Sequence, residues 1–320
     1  MQINIQTFII RNMSIKKVLV LGSNGLVGSS CSRIFSKEKH YEVIKSTRED
    51  TNLFSLEETK KLITEVSPDI IINAAAKVGG IVANNSLRTQ FILENLKINI
   101  NVFESCIDYP NITVINLGSS CIYPLNASNP IKETSFMEGK LEETNSPYAM
   151  AKIASIEIGR SLNKQYGHNI INLMPTNLFG PNDNFDKDLS HVIPGLIRRM
   201  HDAKLRSDPI FNVWGDGSPL REFLYVDDLS YAIKFILENN INHDLINIGS
   251  GEEISIKDLS KKIQKIINYN GEISYDQTKP NGNPRKFLDT SVIKNLGWNP
   301  EYSLDKGLEE TFKWYQESVS

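Results

Sequence analysis

Cysteine is scarce in this chain: Cys31, Cys106 and Cys121 are the only three among 320 residues. An odd number without paired spacing excludes a disulfide framework and a cysteine zinc site, and points to a reducing, cytoplasmic setting. An excess of one charge is also lacking. Thirty-five Lys and Arg face 38 Asp and Glu, a net charge of −3, which gives no electrostatic case for nucleic acid or an anionic membrane as partner. No apolar run reaches the roughly 18 residues of a membrane span. Internal repeats and low-complexity tracts are missing, which excludes solenoids and tail-like segments. The leader, residues 1–12, has a short apolar patch from Thr7 to Ile10 but neither a basic start nor a long apolar middle. It is a poor signal peptide, expected to be flexible or an upstream-start extension before Met13.

What is present reads as an α/β protein. Apolar residues make up 40% and charged residues 23%, ordinary values for a globular chain long enough for two lobes. Short apolar runs, Lys17–Leu21, Glu42–Lys45, Asp69–Asn73, Thr113–Leu117 and Ile170–Met174, alternate with helical stretches. Those stretches lie near Leu26–Ser36, Leu56–Glu65, Leu87–Cys106 and Pro147–Tyr166. Strand and helix in alternation predict a doubly wound parallel sheet covered on both faces. After Pro175 the pattern loosens into Asn-, Asp-, Pro- and Gly-rich loops, with a helix expected over His191–Ala203. The expected division is a cofactor lobe from 13–177 and 225–251, and a smaller α+β substrate lobe from 178–224 and 252–320.

Gly22-Ser23-Asn24-Gly25-Leu26-Val27-Gly28 follows the first strand and opens the first helix. Glycines permit the tight turn and close approach of backbone to a pyrophosphate, while the helix N-terminus supplies N–H donors. A dinucleotide is expected there. At the end of the second strand, Lys45-Ser46-Thr47-Arg48 precedes Glu49 and Asp50. NAD sites place a carboxylate at this point and NADP sites a cation. Arg48 suits a 2′-phosphate, so NADP(H) is the favoured cofactor. No metal site is expected.

Tyr148 and Lys152 stand one helical turn apart in Tyr148-Ala149-Met150-Ala151-Lys152, hence on one helix face. Ser119 lies at the carboxyl end of the fourth apolar strand, where ligands bind in parallel sheets. These residues can reduce a ketone: Tyr148 gives its proton to the oxygen, Ser119 hydrogen-bonds that oxygen, and Lys152 with the nicotinamide cation favours ionised tyrosine.

The glycine motif, Ser119, Tyr148, Lys152 and Arg221-Glu222-Phe223-Leu224-Tyr225-Val226-Asp227-Asp228 resemble the extended short-chain dehydrogenase/reductase family of sugar-nucleotide enzymes. Ala74–Ile81, Ser119–Pro124, Met174–Leu178 and Ser190–Pro194 are similar to its GDP-L-fucose synthase branch. The resemblance runs from about Lys17 to the C-terminus. It implies a Rossmann-like fold, a homodimer formed through the helices around 87–106 and 147–166, and a GDP-linked 4-keto sugar as partner. It also implies further cofactor contacts at Ala75, Leu117, Gly118, Lys152, Pro175, Thr176, Asn177, Leu178 and His191.

The implied reaction inverts C3 and C5 of GDP-4-keto-6-deoxy-D-mannose and reduces C4 with NADPH. Both carbons flank the ketone, so loss of either proton gives an enolate that the carbonyl stabilises. Inversion needs a base on one face and an acid on the other, roles the resemblance gives to Cys121 and His191. Related 4,6-dehydratases carry a carboxylate where Cys121 stands, so dehydration is disfavoured. Arg199, Trp214, Arg221 and Lys279 are the implied grip on the nucleotide sugar, with Arg285 a weaker candidate for closing over it. One departure concerns Asn24, where the branch often has an arginine, leaving Arg48 to carry the NADP preference. The alternatives are a C4 reductase of a related GDP-4-keto sugar such as a heptose, with or without epimerisation, and, more distantly, a non-catalytic NADP-binding module. Cys31 and Cys106 read as core; His40, His168, His201 and His243 read as structural or exposed.

Overall fold

The structure is a computed structural model that describes residues 15–187, 189–279 and 281–319; the leader expected over 1–12 lies outside them. In chain order the first elements are β1 (Lys16–Leu21), α1 (Leu26–Phe35), β2 (Tyr41–Ser46), α2 (Leu56–Val66) and β3 (Ile70–Asn73). Next come α3 (Ile81–Ser86), α4 (Arg88–Cys106), β4 (Thr113–Leu117), α5 (Ser146–Tyr166), β5 (Asn169–Pro175) and β6 (Asn177–Phe179). The chain continues through α6 (Val192–Arg206), β7 (Ile210–Trp214), β8 (Leu220–Tyr225), α7 (Val226–Glu238) and β9 (Leu245–Ile248). It ends with β10 (Glu253–Ser255), α8 (Ile256–Ile267), β11 (Glu272–Asp276), β12 (Arg285–Lys286), α9 (Ser291–Asn295) and α10 (Leu304–Val319).

Six strands form a parallel sheet in the order β2-β1-β3-β4-β5-β9. Alternate residues of a strand face opposite sides, and both sides of the central strands are dry, which is why those strands read as apolar runs, whereas edge strand β2 leaves Glu42 and Lys45 exposed. Val18, Val20, Ile72, Ile115 and Leu173 pack with α1 and α7. Leu19, Leu21, Ile71, Val114 and Ile170 pack with Ile63 of α2, Val102 and Phe103 of α4, and Leu162 of α5. The order reverses between β1 and β3, so the crevice beyond their carboxyl ends is the topological switch point. Asn73, Asn116 and Asn172 stand in register across β3, β4 and β5. Asn116 donates to Asn172 (2.7 Å) and to Ser155 (3.2 Å), and Asn73 to Asn99 (3.2 Å), a buried polar row beneath that end of the sheet.

A second apolar cluster unites α6, α8 and α10 with Phe211, Val213, Phe223 and Tyr225. Its strands pair as β10-β8-β12, with β6 also on β8, and as β11-β7. Glu222 joins the two clusters. Its fully buried carboxylate accepts from Gly251 N (2.8 Å) and Leu288 N (3.2 Å). Its carbonyl accepts from Thr176 Oγ1 (3.2 Å) and Asn177 Nδ2 (2.8 Å). A buried carboxylate without such donors would cost several kcal/mol (order of magnitude), so this strand end is fixed by polar bonds as well as packing.

Helix α3, which the apolar periodicity does not reveal, is an addition of the structure: six residues are under two turns, too few to show a period.

Candidate active site

The glycine turn is shaped by contacts that only glycine permits. Gly22 has φ +73°, and a Cβ there would lie 2.9 Å from the Ala75 Cα. A Cβ on Gly28 would lie 2.7 Å from the Gly22 carbonyl carbon, so α1 packs directly against the turn. Gly25, the N-cap of α1, faces open space: its Cβ would meet nothing nearer than the Gly22 oxygen at 3.5 Å. No acidic side chain occupies the first turn of α1. A tight turn, a free helix N-terminus and room at Gly25 fit a pyrophosphate.

Beyond the turn, Asp50 accepts from Thr47 N (2.8 Å) and Thr47 Oγ1 (2.7 Å). The carboxylate closes its own turn rather than standing ready for a ribose. Arg48 is exposed beside it and has no hydrogen bond or ion pair among the described residues. A pocket of about 270 Å³ lies alongside, lined by Ser23, Asn24, Ser29, Ser32, Arg33, Lys45 and Asn182. Arg33 is ion-paired to Asp227. Lys45 is therefore a second cation beside Asn24, and sequence reasoning gave it no role. Its signal was available: in β2 it pairs with Val20, next to the strand end.

At the end of β4, Ser119 begins a 3-10 turn over Ser120–Ile122 and its Oγ accepts from Cys121 N at 3.2 Å. Tyr148 is hydrogen-bonded to Ser119. Burial raises the phenol well above the ordinary tyrosine value, Cys121 pushes the same way, and the Ser119 bond draws it back. Burial pushes Lys152 itself from 10.5 down to about 8, its Nζ donates to the Leu117 carbonyl (2.8 Å), and it sits 5.8 Å from the centre of the Tyr148 ring. Lys152 is not among the groups that move the tyrosine. What remains suits a proton donor: Tyr148 is held protonated. Phe91 of α4 meets the tyrosine ring edge-on at 6.2 Å. Asn145 Nδ2 donates to Cys121 Sγ at 3.4 Å.

His191 arrives from the other side of the crevice, as N-cap of α6. The loop before it docks on Gly79-Gly80: Gly80 N donates to the Leu189 carbonyl (3.0 Å), and a Cβ on Gly80 would strike Ser190. Asn84 of α3 locks the same glycines by donating to both carbonyls, at 2.6 and 3.1 Å. The His191 ring hydrogen-bonds the Gly79 backbone. A Cβ on Gly79 would in turn lie 3.3 Å from Phe91, the residue that abuts Tyr148. Solvent reaches the imidazole, but the surrounding protein lowers its pKa, partly offset by the Gly79 bond. In its neutral form it can accept a proton.

Among the other candidates, Ala75, Leu117 and Gly118 line the strand ends: Ala75 packs on Gly22, and a Cβ on Gly118 would overlap the Met174 side chain. Pro175, Thr176, Asn177 and Leu178 close β5 and open β6; the Thr176 and Asn177 side chains are engaged by the Glu222 carbonyl and Leu178 packs on the core. Arg199 sits 5.6 Å from the rings of both Trp214 and Phe211. Trp214 remains 51% exposed. Arg221 is half-buried, its Nη1 donates to the Leu220 carbonyl (2.7 Å), and burial lowers its pKa. A Cβ on Gly282 would lie 3.4 Å from Arg221 and 3.6 Å from Ile81, which brings the 281–282 loop over the crevice. Lys279 is exposed in the same loop. Arg285 does not join it: its guanidinium bridges both oxygens of Glu253 (2.8 and 2.5 Å). Cys31 and Cys106 are fully buried, and burial pushes both thiols up to about 12. No His/Cys/Asp/Glu cluster able to hold a metal occurs among the described residues.

A doubly wound sheet with a glycine turn at its switch point, and a hydrogen-bonded Tyr/Ser pair beside a buried lysine one strand further on, defines a nicotinamide-dependent enzyme. Comparison with known proteins narrows this. Residues 18–249 match the model of the NAD dependent epimerase/dehydratase family. The chain is 42% identical to GDP-L-fucose synthase 1 of Arabidopsis thaliana over 303 residues, covering 95% of this chain and 94% of that one. It is 40% identical to GDP-L-fucose synthase of Escherichia coli K12 over 317 residues, covering 96% and 98%. A GDP-L-fucose synthetase from Naegleria fowleri bound to NADP superimposes with a TM-score of 0.86 at 27% identity, covering 96% and 95%. The chain belongs to the NAD dependent epimerase/dehydratase family.

Proposed function

We propose that this protein converts GDP-4-keto-6-deoxy-D-mannose to GDP-L-fucose by inverting C3 and C5 and then reducing C4 with NADPH. The observation that carries the reading is the meeting of a phenol, a serine hydroxyl and a thiol at the end of β4, with an imidazole joined to them through Gly79 and Phe91. Residues 22–28 would hold the pyrophosphate, and Arg48 with Lys45 the 2′-phosphate, since Asp50 is occupied by Thr47. When bound, the reduced nicotinamide supplies the hydride for C4. Tyr148 gives its proton to the C4 oxygen, and Ser119 holds that oxygen in line. Before that step, Cys121 and His191 exchange protons with C3 and C5 from opposite faces. Arg199 and Arg221 suit the diphosphate and the exposed indole of Trp214 a planar base, with Lys279 in the loop that closes over them.

In this reading 13–177 with 225–251 carries the cofactor and 178–224 with 252–320 the nucleotide sugar; the second apolar cluster draws almost wholly on the latter ranges, while Leu178, Leu224, Ile293 and Trp298 from them pack into the core of the cofactor lobe. A cytoplasmic homodimer completes the reading. Helices α4 and α5 pack together and leave Leu93 (49% exposed), Ile100 (41%) and Met150 (47%) uncovered, an apolar surface that a second copy would bury. No described helix is long and apolar enough to cross a membrane.

The test is product analysis with GDP-4-keto-6-deoxy-D-mannose and NADPH in deuterated water. GDP-L-fucose carrying deuterium at C3 and C5 is expected. Reduction without deuterium at either carbon would leave a C4 reductase, and absence of turnover would refute the assignment.

A further inference from the structure

Asn145 occupies the N-cap of α5, where an asparagine usually accepts a hydrogen bond from the first turn. Its side chain makes no such bond. Nδ2 donates instead to Cys121 Sγ at 3.4 Å, and Oδ1 is buried without a hydrogen-bond partner. The backbone of the residue is held independently: Asn145 N donates to Glu142 Oε2 (3.1 Å), and its carbonyl accepts from Ala149 N (3.0 Å). The main chain is thus fixed while the amide has the sulfur as its one partner.

We propose that Asn145 is a positioning residue that serves Cys121 in both protonation states. With the thiolate, Nδ2–H donates to sulfur. With the thiol, the amide turns by half a rotation about χ2 and Oδ1 accepts the S–H. The two ends of an amide are nearly equal in size and opposite in hydrogen-bond character. Because Oδ1 has no other bond to break, the turn costs no second interaction. The proposal rests on the reading of Cys121 as a proton carrier. At each inversion the C–H bond breaks, its electron pair enters the C4 enolate and its proton goes to one of the two groups. The other group delivers a proton to the opposite face, so both must live as acid and as base. A partner fixed as donor would favour thiolate alone, and one fixed as acceptor thiol alone. Of the titratable groups, Tyr148 on α5 acts on the sulfur directly; Lys152 lies beside the Tyr148 ring, and Glu142 holds the Asn145 backbone.

The experiment is the pH dependence of Cys121 alkylation by iodoacetamide in the full-length protein without substrate, read by mass spectrometry, with buried Cys31 and Cys106 as internal controls. In Asn145→Ala both bonds are lost, so the pH of half-maximal rate should rise by about one unit, the excess of a hydrogen bond to a charged sulfur over one from a neutral thiol. Asn145→Asp keeps the shape, replaces the donor by a negative charge, and should raise it further. It also supplies the answer if the alanine variant does not fold. Deuterium wash-in at C3 and C5 should slow about tenfold or more in Asn145→Ala, with NADPH binding unchanged. An unmoved alkylation midpoint in a folded variant overturns the proposal. Because the midpoint is read without turnover, a wild-type enzyme that fails to incorporate deuterium would sink the functional reading separately.

Discussion

Lys152 opposes folding near neutral pH, and its removal should stabilise the protein that it disables. The side chain is 3% exposed and burial pushes its pKa from 10.5 to about 8. At ~1.4 kcal/mol per pH unit, the buried ammonium is roughly 3 kcal/mol less favourable than it is in water. Replacing it by Met keeps the apolar stem and removes the charge, but deprives the Leu117 carbonyl of its donor, worth about 1 kcal/mol. Lys152→Met should therefore be about 2 kcal/mol more stable at pH 7.

The sign of the pH dependence is the sharper test. Between about 8 and 10.5 the unfolded chain keeps the lysine proton and the folded chain loses it, so wild-type stability rises with pH across that window. The variant has no such proton to lose. Urea unfolding of the apo-proteins should show the variant ahead at neutrality and the gap closing by about pH 10, with NADPH-dependent reduction abolished throughout. A gap that stays constant or widens with pH would refute the desolvation argument. A variant that is less stable at neutral pH would mean that the carbonyl bond outweighs the charge.

Three further outcomes test other parts of the site. Gly28→Ala places a methyl 2.7 Å from the Gly22 carbonyl carbon and 2.8 Å from the Ser23 Cα, so NADPH affinity measured by nucleotide fluorescence should fall about tenfold or more. Wild-type affinity would show that the turn yields freely. Arg48→Ala should lower kcat/KM for NADPH by about 10- to 100-fold, as expected for a lost charged hydrogen bond, and leave NADH nearly unchanged; an equal effect on both cofactors would remove the 2′-phosphate role. Tyr148→Phe should slow C4 reduction by about 10²- to 10⁴-fold while deuterium exchange at C3 persists through Cys121 and His191. Near-normal reduction would remove the tyrosine as proton donor.

The sheet was legible because its central strands are buried on both faces, so an unbroken apolar run such as Ile70-Ile71-Ile72 leaves few alternatives. Helix ends were legible where a residue enforces them, as Gly167 does for α5 in the left-handed region at φ +74°. The proton-transfer residues were visible because their chemistry is rare outside a site. Their partners were not, because those bonds are long-range and borne by residues with many other uses. Nothing in Gly79-Gly80 announces that the pair receives the His191 loop, or in Asn84 that it pins those glycines. Spacing also carries no information about burial, and burial acts on Tyr148 and Lys152 alike in the direction of neutrality. The two steps proposed here place different demands on that outcome. Proton exchange at C3 and C5 needs a thiol and an imidazole that change state readily, and both lie where solvent still reaches. Reduction at C4 needs a donor that stays protonated until the oxyanion forms, and Tyr148 is held so by burial and by the neighbouring sulfur.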